Sequence, residues 1–470
     1  MRLSYSKAMR NLPPPWDEDL VPAIREAFSR AGATLIVMDD DPTGCQTVHD
    51  IPILTAWSVE VLKAECERSR IFFILTNSRS LPEREAIKLN REVARNIVKA
   101  ASLTGRRFMV ISRSDSTLRG HFRAEIETLT VEFGWEKAVK LCIPAFFEGG
   151  RFTIGDIHYV REGDELAPAA ETPYAKDPFF GFASSNLKEY IHEKMEGTVP
   201  SKDVCSISLE EIRRGGPEAV ADRLEKCTEG SFCVVNACER RDMDVVALAV
   251  FRAMKRGKRF LFRAAAAIIP ALIGLTPRSL PAVKGFPQAQ KGCGLIIVGS
   301  FVPISSHQLK HLLKHGGVQG IELEVKRLLS GDWKIEIDRV TGETDRSIGS
   351  CCDTVIYTSR DLVTGATAEK SIRIQAKVAG ALIKIVQGIR VVPRYILAKG
   401  GVTSHDIATK ALGVRRAVVR GQIAPGVPVW ELSGGSRFPG MTYIVFPGNV
   451  GTETSITDVV QVLSSGSLFK

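Results

Sequence analysis

Short apolar, β-branched runs recur along the chain: TLIVM at 34–38, IFFIL at 71–75, RFMVI at 107–111, FCVVN at 232–236, LIIV at 295–298 and YIVF at 443–446. Runs of this length without polar alternation suit strands buried on both faces. Between many of them lie helical patterns, such as SLPEREAIKLNREVARNIVKAA at 80–101. There Ser80 and Glu83 read as a capping box, Pro82 as a first-turn proline, and Leu89, Val93 and Ile97 as an apolar stripe. Strands alternating with helices predict an α/β fold with a largely parallel sheet flanked by helices.

With 470 residues the chain exceeds one typical core, so two domains are expected. The Pro/Gly-containing basic stretch TPRSLPAVKGFPQAQKGCG at 276–294 separates two strand–helix series and reads as a linker between domains 1–275 and 295–470. Residues 144–190, rich in Gly, Pro, Phe and acids, read as loops over a site. The net charge of +10 suits small anions such as phosphorylated metabolites, and no long basic run of the nucleic-acid-binding kind is present. FLFRAAAAIIPALIGL is interrupted by Arg263 and Pro270 and is short for a membrane span, and the N-terminus lacks the apolar core of a secretory signal. A cytoplasmic enzyme without membrane or nucleic-acid partners is the expectation, with a homo-oligomer left open. The ten cysteines include no C-x-x-C pair and read as reduced and structural. His307, His311 and His315 share a helical face without an acid beside them, so a polar stripe is expected rather than a metal site.

Polar motifs follow the strands. DDDPTG follows the first run, TNSRS the second and SRSDSTLRG the third; GSFVPISS, KGGVTSHD and PGNVGTET follow strands of the second half. In open α/β sheets the ligand crevice lies at the carboxyl ends of the strands. Asp39, Asp40 and Asp41 therefore stand where a site is expected, although a solvated acidic turn or a helix cap would use the same residues. Three like charges in one turn repel unless cations or donors offset them, and should raise at least one pKa. Arg113, Asp115, Ser116, Thr117 and Arg119, with Arg79 of TNSRS and Arg151, would suit a small polyhydroxy acid: guanidinium for carboxylate, Asp, Ser and Thr for hydroxyls. Gly400, Gly401, Gly448, Asn449 and Gly451 form small-residue loops that admit backbone close to an anion, with Thr403 or Ser404 as helix cap and Gly413 as helix end. No G-x-x-x-x-G-K-[ST] is present.

At these residues the sequence resembles the four-carbon acid sugar kinases, over about residues 33–465. The family's D-D-x-T-G stands as Asp40-Asp41-Pro42-Thr43-Gly44, and its D-S-T-L-R-G as Asp115 to Gly120. Its G-S loop stands as Gly299-Ser300, followed by Ser305 and Gln308. Its G-G-x-T stands as Gly400-Gly401-Val402-Thr403, and its late glycine loop as Gly448-Asn449-Val450-Gly451. Val402 stands where many members carry an acid. The resemblance implies an N-terminal sugar-acid domain, a C-terminal ATP domain and an active site in the interdomain cleft.

The expected reaction is Mg-ATP-dependent phosphorylation of a hydroxyl of a four-carbon sugar acid such as erythronate, threonate or an oxo-tetronate. Asp41 is the first choice of base, supported by Asp40 or Asp115. Thr43, Gly44, Arg79, Arg113, Ser116, Thr117, Arg119, Gly120 and Arg151 would bind the acid; Ser300, Ser305, Gly400, Gly401, Val402, Thr403, Gly448, Asn449 and Gly451 would bind ATP. The metal ligands are not legible. A rival reading takes Asp39 as the nucleophile and Ser112 as the second motif of a haloacid-dehalogenase-type phosphatase; a non-enzymatic nucleotide-binding regulator is a further one.

Overall fold

The computed structural model describes residues 2–276, 278, 292–360 and 368–464. Two compact units form: Met1–Val48 with Ala56–Pro277, and His49–Thr55 with Arg278–Lys470. Most of the stretch expected as a linker, 277 and 279–291, lies outside the described residues. Among those described, no helix is long and apolar enough to cross a membrane.

The first unit is built on seven parallel strands in the spatial order Cys205–Ile207, Phe232–Val235, Val139–Ile143, Phe260–Ala264, Arg107–Arg113, Ala33–Asp39 and Ile71–Leu75. The strand Ala33–Asp39 is buried along its whole length, as an unbroken apolar run requires. Its neighbours hydrogen-bond to both edges, so the chain reversal after Asp39 opens at the carboxyl end of the sheet centre.

The helix Glu83–Thr104 covers this sheet, with a difference from its expected start. Its N-cap is Pro82, with no side-chain cap, while Ser80 ends a separate 3-10 turn. The buried stripe runs through Ala86, Asn90, Val93 and Ile97, and Leu89 lies at its margin. Proline at 82 interrupts the backbone between Ser80 and Glu83, so the two never share one first turn.

Residues 144–190 are more ordered than a set of loops. Arg151–Ile154, Ile157–Glu162 and Glu165–Pro168 form antiparallel hairpins, closed on one side by Leu3–Ser4. The first turn is made by Gly155 and Asp156, both at positive φ (58° and 66°), the geometry that matches the twist of a two-residue hairpin. Each strand holds only four to six residues, too few for periodicity to separate from loop.

The second unit places Ile51–Leu54 beside Arg416–Ala424, then Val427–Leu432 and Thr442–Phe446, all antiparallel. Parallel strands Tyr395–Lys399, Leu295–Val298, Thr354–Thr358 and Gln319–Leu323 continue the sheet. The stretch 49–55, inside 1–275 in sequence, thus belongs to this unit. Arg420 and Arg278 bond the Asp50 carboxylate at 3.0 and 2.6 Å, and its backbone N–H donates to Val419.

Candidate functional site

In the first unit, the ends of Ala33–Asp39, Ile71–Leu75, Arg107–Arg113 and Phe260–Ala264 bring the acid cluster together with four arginines. The three consecutive acids do not share one fate. Asp39 and Asp40 are 0% and 2% exposed, whereas the Asp41 and Asp115 side chains keep 19% and 14% of their surface. The strand ends at Asp39, so Asp40 and Asp41 both lie beyond it, yet Asp40 stays buried and Asp41 keeps part of its surface.

Arg113 holds the buried pair: its Nη1 donates to Asp39 at 3.1 Å and to Asp40 at 3.4 Å. One oxygen of each carboxylate, Oδ2, has no protein partner. Burial pushes the Asp39 carboxyl up to about 7 against the pull of Arg113, and burial likewise pushes Asp40 up to about 6. Gly44 closes over this pair. A Cβ there would fall 2.2 Å from the Asp39 oxygens and 2.5 Å from the Arg113 guanidinium carbon, so only glycine fits.

Asp41 is held in the opposite sense. It accepts from the Thr43 N–H at 2.8 Å, from the Thr43 hydroxyl and from Arg79. Burial acts to raise its carboxyl, but Arg79, Arg113 and Thr43 outweigh it and hold it below the usual range. Arg79 also lies 3.6 Å from Asp115, which accepts from Arg119 Nε at 2.7 Å and from the Thr117 hydroxyl. These contacts outweigh burial and keep Asp115 well below the ordinary carboxylate range. The two inner acids are therefore raised chiefly by burial rather than by the repulsion expected among the three, and the accessible one is not raised.

Behind the acids lies a network in which Arg263, Glu125 and Ser78 were not expected at the site. Arg263 pairs with Glu125 and donates to the Ser112 hydroxyl at 2.7 Å; Ser78 donates to Glu125 at 2.6 Å. Gly120, at φ 126°, backs onto this network: a Cβ would lie 3.1 Å from Asp40 Oδ2 and 3.2 Å from Arg263. The buried His158 ring fixes the loop from the other side, with Nε2 2.7 Å from the Ser116 carbonyl oxygen and Nδ1 3.0 Å from the Thr153 hydroxyl. Tyr174 and Asp177 reach the site from the hairpin region: the Arg119 guanidinium lies 5.1 Å from the Tyr174 ring and 3.7 Å from Asp177, and Arg151 lies 5.9 Å from the same ring. A lone arginine in the apolar strand FLFRA was the available signal for Arg263. Tyr174 carried none.

In the second unit a cavity of about 420 Å³ opens at the carboxyl ends of the parallel strands. Gly299, Ser300, Gly400, Gly401, Thr403 and Gly448 line it on one side; Phe301, Val378, Leu382 and Val402 form apolar wall. The loops meet closely enough to exclude side chains: a Cβ on Gly299 would lie 2.4 Å from Thr403 Oγ1, and Gly400 adopts φ 109°. Ser305, Asn449 and Gly451 do not line the cavity. Ser305 is buried beneath it, within 3.1 Å of the Ser300 hydroxyl and donating to the Gly448 carbonyl at 2.9 Å. Gln308 donates to Val450 and Thr452 at 3.1 and 2.8 Å, fixing the late glycine loop.

The helix Gly401–Asp406 corrects one expectation: Gly400 is its N-cap, and Ser404 instead donates to Ala398 at 2.7 Å from inside the helix. With the glycines at the turn itself, Thr403 and Ser404 fall beyond the capping position. Lys399, at the strand end, is fully buried; its Nζ donates to Pro447 at 2.6 Å and sits 4.2 Å from the Phe446 ring. Burial lowers its pKa to about 7. Among the histidines of the second unit, His311 bonds Thr457 at 2.9 Å. Among the described residues no three His, Cys, Asp or Glu side chains converge on a metal position.

Residues 35–272 match the family of sugar-binding N-terminal domains, and residues 295–456 match that of nucleotide-binding C-terminal domains. Among solved structures, the chain is similar to the Haemophilus influenzae protein HI1011, a DUF1537 protein, at 17% identity over 91% of this chain and 99% of that one, with a TM-score of 0.61. It is also similar to a Salmonella typhimurium LT2 protein provisionally named a tRNA synthase, at 17% identity over 91% of this chain and 98% of that one, with a TM-score of 0.66. These likenesses show a shared fold. No curated protein matches the chain.

Proposed function

Because the chain belongs to the four-carbon acid sugar kinase family, we propose that it transfers the terminal phosphoryl group of ATP to a hydroxyl of an erythronate, threonate or oxo-tetronate type acid. The observation that carries this reading is the pair of accessible carboxylates, Asp41 and Asp115, each held ionised by arginine at the carboxyl ends of the first unit's strands.

Asp41 is the base. It is ionised and reachable, and reach comes before pKa in choosing a proton acceptor. Arg79 and Thr43 hold its carboxylate in one orientation, and Asp115 fixes Arg79 from the other side. Asp40, buried behind Gly120, supports the loop electrostatically. Arg119 and Arg151, flanking Tyr174, bind the substrate carboxylate; Ser116, Thr117 and the backbone at Gly44 and Gly120 meet its hydroxyls. Arg113 acts from behind, offsetting the charge of Asp39 and Asp40.

The cavity of the second unit suits a nucleotide: glycine-built loops for phosphates, with an apolar wall for a base. Bound there, MgATP supplies the phosphoryl group and neutralises charge in transfer. Val402 would meet the base or sugar as an apolar contact. Nothing favours the phosphatase alternative: Asp39 is fully buried and Ser112 is engaged by Arg263 and Glu125.

Incubation with ATP, Mg²⁺ and a panel of four-carbon acids, followed by phosphorus NMR, should show ADP and a phosphorylated acid. Phosphate release from phosphomonoesters with a trapped phospho-Asp39, or saturable ATP binding with no turnover on any acid, would overturn the reading.

A further inference from the structure

The turns that lead into two neighbouring parallel strands of the first unit, Arg107–Arg113 and Phe260–Ala264, carry nearly the same residues: Gly105-Arg106-Arg107-Phe108 and Gly257-Lys258-Arg259-Phe260. They also share a geometry. Each follows a helix, Glu83–Thr104 or Arg240–Lys255. Each glycine has a positive φ, 63° and 97°, and the N–H after it donates back to a helix carbonyl, of Ala101 or Ala253, at 3.1 Å. Like side chains are thereby presented side by side at the amino end of the sheet.

Between them opens a cavity of about 600 Å³. Arg106, Arg107, Lys258 and Arg259 line it, and among the described residues no aspartate or glutamate does. Two of these cations are engaged: Arg107 donates to the Ala31 carbonyl at 2.6 Å and Lys258 to the Cys227 carbonyl at 2.8 Å. Arg106 and Arg259 are exposed, and neither side chain has a hydrogen-bond or ion-pair partner among the described residues. The Arg259 guanidinium lies 5.7 Å from the Trp135 ring. Phe108, Trp135 and Phe260 give the cavity an apolar floor, with the Phe108 and Trp135 rings stacked at 5.3 Å.

We propose that this cavity is a binding site for a small aromatic anion of the aryl phosphate class, its acid group held by Arg106 and Arg259 and its ring by the aromatic floor. Helix ends at Ala31, Thr104 and Lys255 each bring roughly half a negative charge to this face. The four cations exceed that total, so the net field over the cavity is positive. Two guanidinium groups without a protein acceptor match the paired oxygens of a phosphate. The volume holds a whole small molecule, and a bare inorganic ion would leave the aromatic floor uncovered. The acid cluster stands at the other end of the same strands, about 20 Å away at roughly 3.3 Å per residue. An occupant here therefore does not compete with a ligand there.

The test uses the full chain and 1-naphthyl phosphate. Calorimetry should show saturable binding that an excess of ATP or of threonate leaves unchanged. Inorganic phosphate, which lacks the ring, should bind about tenfold more weakly or worse. Arg106→Ala and Arg259→Ala should each weaken naphthyl phosphate by about tenfold or more, the loss expected for a charge-assisted hydrogen bond, with the melting temperature unchanged. On the unmodified chain, naphthyl phosphate should protect Arg106 and Arg259 from phenylglyoxal, as read by peptide mapping. Displacement by ATP or threonate would put the probe in another site and overturn the proposal. Undiminished binding in both arginine variants, equal affinity for inorganic phosphate, or no saturation would overturn it as well.

Discussion

Arg79 is ion-paired to Asp41 across thirty-eight residues of sequence, and the pair stands at the mouth of the carboxylate cluster. The same guanidinium lies 3.6 Å from Asp115, so one cation sets the charge of both accessible acids.

Asp41→Asn should lower kcat by about 10²–10⁴-fold, because the amide keeps the shape and loses the proton acceptor. Calorimetry should show both ligands still binding. A turn residue would instead lose thermal stability with little change in kcat. Near-normal turnover in Asp41→Asn, with loss in Asp40→Asn or Asp115→Asn, would move the base to one of those acids.

Arg119→Ala should raise KM for the sugar acid while leaving the KM for ATP unchanged. A charge-assisted hydrogen bond contributes about 1.5–3 kcal/mol, which corresponds to roughly ten- to a hundredfold in affinity. Steady-state kinetics with each substrate varied in turn separates the two. An equal rise in both constants would refute the assignment.

Gly448→Ala tests the nucleotide loop without backbone strain. The added Cβ would lie 3.4 Å from the Ser300 hydroxyl, ordinary contact inside the protein, while intruding on the cavity side of the loop. ATP affinity should fall by about tenfold or more, with stability changed by less than about 0.5 kcal/mol. Unchanged affinity would place the phosphates elsewhere.

Stability should fall as pH rises from about 4 to 7. Asp39 and Asp40 hold their protons more tightly in the folded chain, with pKa near 7 and 6 against an ordinary value near 3.8. A carboxyl raised on folding stabilises the protein below its unfolded pKa, and that contribution is lost as pH rises through the folded one. Asp39→Asn should flatten the slope of Tm against pH in this window. An unchanged slope would show that Asp39 titrates normally.

Much of the architecture was legible because it is written in local pattern. LIVM before DDDPTG declares a buried strand, and the position of the acids at its end follows from parallel α/β topology. The glycines at 299 and 400 were legible for a similar reason, since a Cβ at 299 would meet Thr403 at 2.4 Å and Gly400 adopts φ 109°.

What the tertiary structure alone decided is the division of labour among like residues. Asp39, Asp40 and Asp41 are identical in sequence, yet the strand end buries two and exposes one, and long-range partners determine their charge: Arg113 between the inner pair, Arg79 on the outer acid. Glu125 and Arg263 find each other across 138 residues, and the strand Ile51–Leu54 pairs with Arg416–Ala424 from the far end of the chain. Hydrophobic pattern specifies which face of an element is buried. Which charged groups share a low-dielectric site depends on distances set only when the chain has closed on itself.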